Sequence, residues 1–126
     1  MLESSPVVAV VAVADLDRGR GFYGGTLGLG EADVGYPSGV LYVCGAGTQL
    51  LVYQSSLAGT NQATAALWQV EDLDAEVSDL RSKGITFEQY DMPGVEREGD
   101  IHRIGGLRGV WFKDPDGNIL NLVTRS

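Results

Sequence analysis

Two short stretches of this chain repeat one another: Val13-Ala14-Asp15-Leu16-Asp17 and Val70-Glu71-Asp72-Leu73-Asp74 share four of five residues. Each follows an apolar run and carries aspartates placed to cap a helix, so each reads as a strand-to-helix junction. Before the first lies an unbroken β-branched and small apolar run, residues 7–13, suited to a strand covered on both faces. After it, Leu16, Tyr23 and Leu27 recur at helical spacing. Gly19, Gly21, Gly24 and Gly25 weaken that helix by up to about 1 kcal/mol each, so close packing against a sheet is the expected reason for them. Residues 31–36, 40–44 and 49–53 read as three short strands. The order then returns. Residues 65–70 read as a strand, and Leu73, Val77 and Leu80 mark a helix ending at Gly84. Residues 85–90, 110–113 and 118–123 read as strands, the last two joined by Asp114-Pro115-Asp116-Gly117. A repeated order of elements predicts an α+β fold of two βαβββ units, about 7–55 and 64–124, within one domain spanning 1–126, with 57–64 as the linker.

Composition narrows the function classes. Of 126 residues, 44% are hydrophobic and 21% charged, and no apolar run approaches the ~20 residues of a membrane span, so a water-soluble protein with no membrane role is expected. Residues 1–6 lack the basic stretch and apolar run of a secretory signal, which points to the cytoplasm. The lone Cys44 can form no intramolecular disulfide and no cysteine-rich zinc site, and it reads as a small buried hydrophobe. A net charge of −8 with no Lys/Arg cluster makes nucleic acid an unexpected partner.

Phe22-Tyr23 and Leu27-Gly28 in the first helix region, with Phe112-Lys113-Asp114-Pro115-Asp116-Gly117-Asn118 near the end, complete a pattern over about residues 7–123. It resembles the vicinal oxygen chelate superfamily, whose members include glyoxalase I, extradiol dioxygenases and bleomycin-resistance proteins. The resemblance implies a curved mixed sheet around a cleft that holds either a metal with its substrate or an organic ligand, and it implies a homodimer. In glyoxalase-like members four side chains grip the metal. The matching positions here are Val8, seven residues before Asp15; Ala66, six before Asp72; Asn121, seven after Asp114; and a place near Leu51. A divalent ion needs several converging donors, and these residues offer one neutral amide, so neither metal nor other cofactor is expected.

Strand alternation groups Val10 with Val8, Tyr53 with Leu51, Trp68 with Ala66, and Ile119 and Val123 with Asn121, an apolar and aromatic cleft surface. Trp111 and Phe112 are adjacent, so one faces the core and the other the cleft. His102 lies in 94–109, which reads as a mobile loop beside the cleft. The expected ligand-binding set is Val8, Leu51, Tyr53, Ala66, Trp68, His102, Trp111, Phe112 and Asn121, with no catalytic residue. Trp68 and Tyr53 would also suit a cleft packed shut. Cys44 has no basic neighbour to activate it, Glu96, Glu98 and Asp100 read as a solvated run, and Gly24 to Gly28 lacks the strand-then-helix context of a phosphate loop. The leading expectation is metal-free binding of a small, partly aromatic organic molecule, as in drug-sequestering resistance proteins. The alternatives are a metal-independent isomerase, lyase or tailoring enzyme using Tyr53, Asn121 or His102, and a regulatory or scaffolding module working through its dimer surface.

Overall fold

The computed structural model describes residues 1–125. Strand β1 (Ala9–Val13) leads into helix α1 (Leu16–Arg20), which widens into π turns over Gly21–Thr26. β2 (Gly30–Glu31), β3 (Gly39–Val43) and β4 (Gln49–Gln54) follow, and the first sheet has the order β1-β4-β3-β2 with β1 and β4 parallel. In the second half come β5 (Thr64–Gln69), α2 (Leu73–Ser82), β6 (Phe87–Glu88), β7 (Glu96–Glu98), β8 (Ile101–Ile104), β9 (Leu107–Lys113) and β10 (Ile119–Arg125). The second sheet runs β5-β10-β9-β8-β7, with β6 on the same side of β9 as β8 and with β5 parallel to β10. This is the expected α+β architecture with mixed sheets. No helix among the described residues is long and apolar enough to cross a membrane.

The repeated aspartates do the local work expected of them. Asp15 accepts a hydrogen bond from the Arg18 N–H at 3.1 Å and Asp72 one from the Ala75 N–H at 3.0 Å, each satisfying an orphan donor at a helix start. Alternate residues of each strand then turn toward these helices. Val11, Val13, Val40, Tyr42, Leu50 and Val52 from the first sheet, and Val110, Phe112, Leu120 and Leu122 from the second, join Phe22, Tyr23, Leu73, Val77 and Leu80 in one core. The core crosses the boundary between halves, where the Phe22 and Phe112 rings lie 6.4 Å apart. Close packing explains Gly19, since a Cβ there would stand 3.3 Å from Val13 Cγ2.

Residues 94–109, expected as a mobile loop, instead contain the β7–β8 hairpin and the start of β9. Glu96-Arg97-Glu98 carries no apolar alternation of its own. Its pairing is imposed by β8, which is held in turn by backbone bonds to β9.

The closing turn, Asp114 to Asn118, ties the halves together. Asp114 Oδ1 accepts from the N–H groups of Asp116 and Asn118, both at 2.9 Å, and Oδ2 accepts from Tyr23 Oη at 2.7 Å and Asn118 Nδ2 at 2.8 Å. The Asn118 amide also donates to the Ala12 carbonyl in β1 at 2.7 Å. Asp116 accepts from the Ala14 N–H at 3.3 Å and pairs with Arg18. The segment after β4 is fitted against the same turn: Gly59 has φ +71°, and a Cβ there would collide with the Asp116 carbonyl oxygen. Asp114, Asn118 and Tyr23 are all buried.

Removing the Asp114 carboxylate strands several buried donors at once, so Asp114→Ala is expected to cost about 3–5 kcal/mol and Tyr23→Phe about 1–3 kcal/mol. Urea unfolding should report both as a lower midpoint at unchanged slope. Burial, then the Asp114 carboxylate, push the Tyr23 phenol above its ordinary value, and burial does the same at Tyr42 and Tyr90. A group that holds its proton more tightly when folded contributes stability below its unfolded value, near 10 for tyrosine, and loses it as pH rises further. Unfolding midpoints should therefore fall above about pH 10, and Tyr23→Phe should shallow that fall, leaving the share due to Tyr42 and Tyr90.

Candidate functional site

The helices cover one face of each sheet and leave the other open. In the first half, β1, β3 and β4 turn Val10, Leu41, Val43, Leu51 and Tyr53 to this open face, with Val10 beside Leu51 and Tyr53 between Ala12 and Gly39. Val10 is 51% exposed and Val43 48%, values that mark an apolar surface no part of this chain covers. Val8, one pleat before Val10, has the same facing and is half-buried.

In the second half the register sets Asn121 between Trp111 and Leu67, and Val123 between Gly109 and Gln69. Leu67, Gln69, Leu107 and Val123 line an open recess of about 590 Å³ together with Glu71, Val70, Thr124 and Arg125. That volume lies in the range of small-molecule sites. Along the same face stand three rings. His102 meets Trp111 edge-on at 4.8 Å and Tyr90 at 6.0 Å, and Tyr90 meets Trp111 at 5.5 Å. Trp111 is fixed by a 3.2 Å bond from its indole N–H to Thr64 Oγ1.

His102 is fully buried in β8 and is neither in a loop nor solvated. Its Nε2 accepts the Tyr90 N–H at 2.9 Å, so the ring proton sits on Nδ1, which has no partner among the described residues. The Tyr90 hydroxyl is also buried without a partner, and burial, then Glu88, raise its pKa so that it stays protonated. Among the described residues no carboxylate orients His102 in the way an acid-base pair requires. Asn121 is buried, and its amide nitrogen donates to the Val110 carbonyl at 2.9 Å and to the Leu122 carbonyl at 3.5 Å, which leaves the amide oxygen for another molecule.

Three expected site residues are misplaced by the sequence reading. Ala66 and Trp68 sit beside Leu120 and Leu122, so they face the helices and pack on the core, pointing away from Asn121. Phe112 is completely buried in the core, and Trp111 is the member of that pair on the open face. The first error is one residue of register. Because Asp15 and Asp72 cap their helices identically, the counterpart of Val8 lies seven residues before Asp72, at Ala65, and Leu67 and Gln69 follow on the open face. The repeat itself carried that signal.

Ala65 offers a metal no more than Ala66 does. Val8, Ala65 and Leu51 have no donor atom, and Asn121 has one free oxygen, so these residues do not fit a chelated transition metal. Among the described residues no three His, Cys, Asp or Glu side chains gather as a metal-holding group.

Comparison with known proteins places this architecture. No curated protein matches the sequence significantly. An antibiotic-binding protein, TnmS3 of Streptomyces sp. CB03234, superimposes with a TM-score of 0.67 at 23% identity, covering 95% of this chain and 96% of that one. A glyoxalase/bleomycin resistance protein of Catenulispora acidiphila DSM 44928 gives 0.70 at 24% identity, covering 96% and 98%. The fosfomycin resistance protein FosX of Listeria monocytogenes gives 0.68 at 15% identity, covering 95% and 92%. At such identities the likeness is one of fold. Residues 6–122 match the family description directly, and the chain belongs to the Glyoxalase/Bleomycin resistance protein/Dioxygenase superfamily.

Proposed function

We propose that the open sheet face binds a small, partly aromatic organic molecule without a metal, and that sequestration of that molecule in the cytoplasm is the activity. The observation that carries this reading is a recess of about 590 Å³, lined by apolar Leu67, Leu107 and Val123 beside polar Gln69, Glu71 and Arg125, on a sheet face whose chelating positions are held by Val8, Ala65, Leu51 and Asn121. Leu67, Leu107 and Val123 supply apolar area, and Trp111 and Tyr90 supply ring faces and edges. The buried Nδ1–H of His102 and hydroxyl of Tyr90 are two unspent donors that a ligand carbonyl would satisfy if Tyr90 turned outward. The antibiotic-binding TnmS3 shares the fold and lends the reading support by analogy.

The exposed apolar residues of the first half, Val10, Val43 and Tyr53, support pairing of two copies so that each open face is closed by the other. A second reading, a metal-independent isomerase, lyase or tailoring enzyme, draws on the same unpaired His102 and Tyr90 groups, which turnover would need as proton donors.

Isothermal titration against polyaromatic and glycopeptide antibiotics should give saturable binding that chelator leaves unchanged. Leu67→Arg, which sets a charge in the recess, should weaken it by about ten-fold or more. Absence of binding across the panel would sink the reading, and chemical conversion of a bound compound that His102→Gln abolishes would favour the enzyme. Sedimentation velocity should find a dimer that Val10→Asp converts to monomer. A wild-type monomer would overturn the pairing.

A further inference from the structure

A second pocket lies on the opposite side of the sheets, under the helices. It is about 200 Å³ in volume, with Trp68 and Phe112 in its lining, Leu29 and Leu80 on its walls and the carboxylates of Glu76 and Asp79 at its mouth. It lies where the short α1 gives way to π turns: Leu27 and Leu29, beyond them, line it together with Leu80 of α2, and Trp68 is half-buried in it. The indole of Trp68 has no hydrogen-bond partner among the described residues, in contrast to Trp111, which is tied to Thr64.

The charges around the mouth are unequal. Asp79 is paired with Lys83 at 3.1 Å, and the same ammonium donates to the Thr26 carbonyl at 3.1 Å, a tie between the helix layers at the pocket's edge. Glu76 has no ion-pair partner among the described residues, and it lines the same pocket as Trp68 in a chain of net charge −8. A pocket that holds both an aromatic ring and an unpaired carboxylate can attract a cation twice, through the ring quadrupole and through the charge. The volume sets the size, since a dry apolar cavity of roughly 150 Å³ accepts one benzene ring.

We propose that this pocket is a second small-molecule site, taking a primary ammonium ion carried on a single aromatic ring, with the ring against Trp68 and Leu80 and the ammonium at Glu76. It lies across the sheet from the recess at Leu67 and shares only Val70 with its lining.

The two tryptophans make the test direct, because each indole N–H gives its own NMR signal. Benzylamine, protonated near neutral pH, should move the Trp68 signal saturably at millimolar concentration and leave the Trp111 signal in place. Benzyl alcohol and phenylacetate, of the same size but neutral and negative, should bind several-fold more weakly or not at all. Glu76 is exposed on α2, so Glu76→Gln should keep the melting temperature while weakening benzylamine two- to five-fold, the range of an exposed ion pair. Benzyl alcohol should be indifferent to that change. A Trp68 signal that does not move, equal binding of alcohol and amine, or an amine affinity untouched by Glu76→Gln would each overturn the proposal.

Discussion

A carboxylate taken out of water keeps its charge cheaply only when its oxygens are filled with donors, and Asp114 fills both of its oxygens within one turn and one neighbouring helix. Two backbone N–H groups, a phenol and an amide converge on it, and the amide reaches on to the Ala12 carbonyl in the other half. The arrangement is local in sequence except for Tyr23 and Ala12, and those two contacts are what turn a hairpin turn into a clamp. Each half-sheet is closed on one face only. Without a tie at the end of β9 and β10, the halves would rest on their shared core, where Phe22 meets Phe112, and on the bond from Lys83 to the Thr26 carbonyl.

Because the clamp and the core both lie on the helix side, the open face contributes little to holding the halves together. Substitutions at Val8, Leu51, Leu67 or Leu107 change a surface, whereas substitutions at Tyr23, Phe112 or Asp114 change the fold. That division lets a scaffold lose its chelating side chains without losing its shape. Surface apolar residues at such positions cost solubility in a lone chain, which is the physical argument for covering them with a ligand, a second copy, or both.

Much of the fold was legible because its rules are short-range. Capping aspartates, the Asp-Pro-Asp-Gly turn and the β-branched runs each act within a few residues, and the repeat shows the capping aspartates twice. The β7–β8 hairpin was illegible because Glu96-Arg97-Glu98 has no pattern of its own and is recruited by pairing. His102 shows the same limit. Its segment is rich in glycine and charge, with Arg103 beside it, and its burial comes from Trp111 and Tyr90, which only the sheet brings near. Facing was the weakest inference, since a strand's period of two turns an error of one residue into an error of side.

Trp68 is where that error matters most. Read onto the open face, it would have been another aromatic wall for a ligand already provided with Trp111 and Tyr90. Placed under the helices, it becomes a large, half-buried ring with nothing tied to its indole, beside a pocket that the short α1 leaves unfilled. A core position of this size is ordinarily filled by the neighbouring helix, because voids forfeit dispersion contacts. Here the helix layer is interrupted by glycine-rich π turns, and Lys83 bridges the gap to Thr26 without filling it. The same economy that frees the open face thus leaves a second opening behind the sheet, one whose acidic rim and ring floor select a charge opposite to the chain's own.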